Sequence, residues 1–132
     1  MRRVFLLAAL LCLAVMPALA QDPVKVDPKH YKVIFENDQV RVLRVHYGPK
    51  EKSVMHEHPD VVGTFLADAR TKFNLPDGKS IERAAKAGDA LWIPAEKHLP
   101  ENIGDKPLDV VVVELKGKAA AKPAAAPAKK AG

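Results

Sequence analysis

Apolar and polar residues alternate along the chain in short runs, and turn-forming pairs close each run. Asp22 to Lys29, with Pro23 and Pro28, reads as an extended lead-in. Tyr31 to Glu36 has strand composition, and Asn37-Asp38 ends it. Gln39 to Tyr47 alternates at Val40, Val42, Val45 and Tyr47, with Leu43 out of step as at a bulge. Val54 to His58 is the next strand, stopped by Pro59-Asp60. Val61 to Ala67 and Arg70 to Leu75 flank a turn at Asp68-Ala69. Pro76-Asp77-Gly78-Lys79 is a hairpin turn, since Asp-Gly readily takes positive φ. Ser80 to Lys86 pairs back and Gly88-Asp89 turns again. Ala90 to Ile93 is a short, buried strand, followed by His98 to Ile103 and Leu108 to Leu115. No helical period is sustained, because Gly88 stops Ala84-Ala85-Lys86-Ala87 after one turn. The pattern predicts an all-β sandwich or barrel.

Both ends depart from this pattern. Met1-Arg2-Arg3 is a positive start, Val4 to Met16 an apolar core, and Ala18-Leu19-Ala20 a small-x-small cleavage site before Gln21. Residues 1–20 therefore read as a signal peptide, too short in its apolar part to span a bilayer. Export to the periplasm or the exterior is expected, with no membrane span in the mature protein. Arg2-Arg3-Val4-Phe5-Leu6 also resembles a twin-arginine signal, so the export route stays open. Cys12 lies in the discarded core, which leaves the mature chain no thiol for disulfides or nucleophilic catalysis. From Lys116 to Gly132 the composition falls to Ala, Lys, Pro and Gly, predicting a disordered tail. One β-domain of residues 21–115 remains. It is small for a barrel, so a homodimer would add useful burial.

Charge then removes one class of partner. The net charge of +5 comes from the two ends: without Arg2, Arg3 and the five tail lysines, 14 basic residues face 16 acidic ones. No basic face with interleaved aromatics is left for nucleic acid.

The candidate chemistry centres on His56-Glu57-His58. In a strand, residues two apart share a face, so His56 and His58 can address one metal ion while Glu57 points away. A third ligand has to come from elsewhere. His30 and His46 belong to no pattern and read as structural. Glu96, Glu101 and Asp60 lie near the histidines in sequence as candidate bases or remote ligands. Phe65, Phe73, Leu91 and Trp92 read as core or pocket wall, and Arg44 and Arg70 as solvated strand positions. There is no nucleophile elbow and no phosphate-cradling glycine loop.

From Val40 to Leu115 the sequence resembles the cupin superfamily. Gly48, His56 and His58 match its first motif, and Gly88, Pro94, His98 and Asn102 its second, with Glu96 in place of a glycine. The resemblance implies a double-stranded β-helix, a small antiparallel jelly-roll barrel. It also implies His56, His58 and His98 as ligands of a divalent transition metal: Fe, Zn, Mn, Ni or Cu. One departure matters: Val62 and Gly63 stand where the family carries a glutamate ligand. Two functions follow as expectations. One is a metal-dependent oxygenase or isomerase acting on a small organic molecule. The other is a non-enzymatic barrel that binds a small ligand or a partner without a functional metal.

Overall fold

A computed structural model describes residues 21–117. The expected signal peptide and the tail beyond Gly117 lie outside the described residues. Between them run a helical turn, α1 (Pro23–Val26), and nine strands: β1 (Tyr31–Glu36), β2 (Val40–Tyr47), β3 (His56–His58), β4 (Val61–Phe65), β5 (Ala69–Asn74), β6 (Ser80–Ala85), β7 (Ala90–Ile93), β8 (Glu96–Asn102) and β9 (Leu108–Leu115). They form a five-stranded sheet, β1-β2-β9-β4-β7, and a four-stranded sheet, β3-β8-β5-β6. Each pairing is antiparallel. The all-β expectation holds.

The two inner faces differ in chemistry. The five-stranded sheet turns Tyr31, Leu43, Val45, Tyr47, Phe65, Leu108 and Val110 into an apolar core. The four-stranded sheet turns in His56, His58, Thr71, His98 and Asn102, all buried. Burying polar groups is unfavourable unless each is hydrogen-bonded, so such a face has to be organised by partners.

Several elements differ from the sequence pattern. The lead-in is not extended: Asp22 caps a short turn by accepting from the Val24 N–H at 2.9 Å. The bulge lies in β1, where Ile34 is the extra residue between the pairs Val33–Leu43 and Phe35–Val42. Leu43 is thus in phase with buried Val45 and Tyr47, while Val40 and Val42 are half-buried. β7 is an edge strand and not buried; Trp92 is 50% exposed. β8 begins at Glu96 rather than His98, which matters below.

Two turns need glycine. Gly78 and Gly88 have φ of 84° and 89°, where a side chain is strained. Asn102 takes the role of a clamp. Its amide donates to Gly48 O at 3.0 Å and Lys106 O at 2.8 Å, and its Oδ1 accepts from the Gly104 N–H at 3.0 Å. Lys116, assigned to the tail, is tied to the β1–β2 hairpin through Gln39 O at 2.8 Å and Glu36 at 2.6 Å.

Candidate metal centre

β3 is only three residues long, and it pairs with β8 so that His56 lies opposite His98 and His58 opposite Glu96. Directly opposed residues of an antiparallel pair sit with their Cβ atoms about 5 Å apart. The alternation then does the rest, because His56 and His58 share one face and Glu96 and His98 share the same one. Ring centroids are 4.7 Å apart for His58 and His98, 5.1 Å for His56 and His98, and 6.3 Å for His56 and His58. The chain thus brings its three candidate histidines together.

Each of the three rings has its Nδ1 at an oxygen: His56 at Val54 O (3.0 Å), His58 at Pro59 O (2.6 Å), His98 at Glu96 Oε1 (2.7 Å). Carbonyl and carboxylate oxygens only accept, so each Nδ1 carries the hydrogen and each Nε2 keeps a lone pair. Burial disfavours the charged form and lowers the pKa of His56 to about 4. Burial, with the charges of His58 and His56, lowers His98 to about 3. An anchored Nδ1 and a lone pair on Nε2 are what a divalent metal requires of histidine.

Glu96 enters this group. One ligand atom each from His58, Glu96 and His98 lie within 4.8 Å of one another. His56 stands beside that trio, with its Nε2 3.3 Å from the Tyr31 hydroxyl. At the family's glutamate position the inward residue is Gly63, whose missing Cβ would meet Val110 and Ile93 at ordinary contact distance. Glu96, on β8, is the carboxylate that reaches His98 and His58.

The other candidates lie apart. Glu57 is exposed. Asp60 accepts from the Ala95 N–H at 2.8 Å and joins strands. Glu101 lines the cavity described below, as does Phe73, whose ring lies 5.1 Å from that of His98. Phe65 is core, Leu91 half-buried, His46 exposed. Arg44 grips Asp109 at 2.5 Å, and Arg70 is exposed.

A polar network behind His56 has no counterpart in the motifs. Tyr31 and Tyr47 join hydroxyls at 2.5 Å, and burial raises the pKa of both. Ser53 donates to Asp27 at 2.5 Å. His30 stacks on Tyr47 at 4.5 Å and bridges Asp27 (2.7 Å) and Glu51 (3.1 Å). Hydrogen bonds from Lys29, the Gly48 N–H and His30 bring Glu51 down to about 2. His30 is structural, as expected, but as a member of this network. Only its spacing from Asp27 hinted at it in the sequence.

The histidines line a cavity of about 70 Å³ between the sheets, walled by Tyr31, Tyr47, Phe65, Phe73 and Val110. Cavities near 150 Å³ accept benzene, so this one admits a molecule of a few heavy atoms or one end of a larger one.

Neither a family model nor a curated protein matches the sequence. Solved structures do. A cupin domain from Bordetella pertussis Tohama I aligns at 22% identity over 66% of this chain and 92% of that one, with a TM-score of 0.61. The chain has the cupin fold. An uncharacterized protein with a double-stranded β-helix domain, from Klebsiella pneumoniae subsp. pneumoniae MGH 78578, aligns at 26% identity over 67% and 77% of the two chains, with a TM-score of 0.54. An oxalate decarboxylase aligns at 25% identity and a TM-score of 0.50, covering 71% of this cupin barrel's chain but 27% of its own. Among the described residues no helix is long and apolar enough to cross a membrane.

Proposed function

We propose that this cupin is an exported protein that binds a divalent transition metal and acts on a small organic molecule in its barrel. The carrying observation is the set of three rings, with centroids 4.7, 5.1 and 6.3 Å apart, each with its Nδ1 at an oxygen and so with a lone pair on Nε2. His56, His58 and His98 would hold the ion, with Glu96 fixing the His98 ring and supplying negative charge nearby. A nitrogen-rich set of this kind suits Zn, Fe, Ni or Cu better than the hard ion Mn. When bound, such an ion supplies Lewis acidity to a substrate oxygen or to O2. The chain's own part is to exclude bulk water and confine the substrate's size. Tyr31, with its hydroxyl at His56, is placed to exchange a hydrogen bond with whatever lies at that ring. Enzymes are found on this fold, oxalate decarboxylase among them, and this favours an active site without naming the reaction. Export rests on the Arg-rich start, the apolar core and Ala18-Leu19-Ala20.

A second reading, a non-enzymatic ligand-binding barrel, is favoured by the Tyr31 hydroxyl, which already satisfies His56 Nε2 without any metal. Metal content by mass spectrometry on untagged wild type and a His58→Ala/His98→Ala variant separates the two. Near-stoichiometric metal, lost in the variant, is expected. Sparse and equal metal in both would leave the second reading.

A further inference from the structure

The inward positions of β9 run Leu108, Val110, Val112, Glu114, so a carboxylate ends an otherwise apolar stripe. Glu114 is almost fully buried, its side chain 4% exposed, and it lines the same cavity as the three histidines. Arg41 explains half of it. The Arg41 Nε–H donates to Glu114 Oε2 at 2.6 Å, while its other nitrogens hold Asp22 at 2.8 and 3.0 Å. Glu114 Oε1 has no partner among the described residues, and across the β4–β9 pairing Glu114 lies opposite the apolar Val61. A buried acceptor left unpaired destabilises a fold, and groups of this kind are kept where something else satisfies them.

We propose that Glu114 Oε1 is the polar anchor of a ligand site in the barrel, and that it accepts a hydrogen bond from the N–H or O–H of a small, otherwise apolar molecule. The inference rests on the preceding reading only in taking the cavity as the place of binding. A carboxylate whose other oxygen is held by a guanidinium can only accept, so it selects donors and rejects isosteric acceptors. Arg41 fixes the rotamer, and the ligand meets a preorganised atom. The anchor orients the molecule: its donor goes to Glu114, and the rest of it lies in the apolar cavity that the histidines also line.

Pyrrole and furan test this, being nearly the same shape with a donor N–H in one and an acceptor oxygen in the other. Both are titrated by amide NMR into the full chain treated with EDTA, and again with zinc added. Pyrrole should bind at least about tenfold more tightly than furan, the margin expected of a hydrogen bond to a charged acceptor. In Glu114→Gln the amide oxygen stays with the Arg41 Nε–H, which turns the NH2 into the cavity. The preference should then vanish or reverse. Equal affinities in wild type, or an unchanged preference in the variant, overturn the proposal. So does failure of both probes to bind, the result for a pocket that holds water only. The wild-type comparison decides the matter even where the variant does not fold. Failures stay distinct: a pyrrole preference without metal binding ends the metal reading alone, and stoichiometric metal with equal probe affinities ends the anchor alone.

Discussion

The Nδ1 hydrogen of His98 goes to Glu96 Oε1, and that bond decides which ring nitrogen keeps its lone pair. Partners of this kind are typically worth 10- to 100-fold in metal affinity. Glu96→Ala should therefore weaken zinc binding by about that factor in calorimetry, and Glu96→Gln by less, since its amide oxygen still accepts. Equal affinity in all three proteins would remove Glu96 from the site. His56, His58 and His98 were legible as a set, through spacing and family resemblance. Glu96 was visible only as one of several nearby carboxylates, because its role depends on β8 starting two residues earlier than the pattern suggests. The parts that Tyr31, Tyr47 and Glu114 play in the cavity could not be read. Each residue sits at an ordinary inward strand position, and only the pairing of distant strands shows what it meets.

Among the elements, the strands β1, β2 and β9 and the turns at Gly78 and Gly88 were readable because alternation and turn chemistry are local. The strands that carry the site were harder. β3 and β8 hold their positions through register with each other, a property no single stretch encodes. Asn102 then fixes the end of β8 against Gly48 and Lys106. Asn102→Ala removes those bonds from a buried position, so a loss of about 2–3 kcal/mol is expected in urea denaturation. A loss below about 0.5 kcal/mol would mean the clamp is idle. Gly88→Ala should cost about 1 kcal/mol from backbone strain, since a Cβ there meets nothing within 4 Å.

For the molecule as a whole, one polar inner face makes stability depend on acid. His56 and His98 titrate at about 4 and about 3 when folded, against ~6.5 when unfolded. Above pH 6.5 both states are neutral and the fold has its full stability. As pH falls, the unfolded chain takes up protons that the folded one refuses, and stability is lost until the folded values are reached. Metal-free protein should be less stable at pH 5 than at pH 7 by about 2 kcal/mol per ring. A flat denaturation midpoint over that interval would contradict the burial argument.

The extra residue in β1 has a consequence for the crowd rather than for the single molecule. β1 is an outer rail of its sheet, and Val33, Ile34 and Phe35 leave 43%, 56% and 54% of their surface in water. A straight greasy rail of this sort invites identical copies to zip together into fibres. The kink at Ile34 spoils the spacing such a zipper needs. Removing Ile34 straightens the rail, and light scattering from the shortened chain should then rise with concentration where that of the parent stays level.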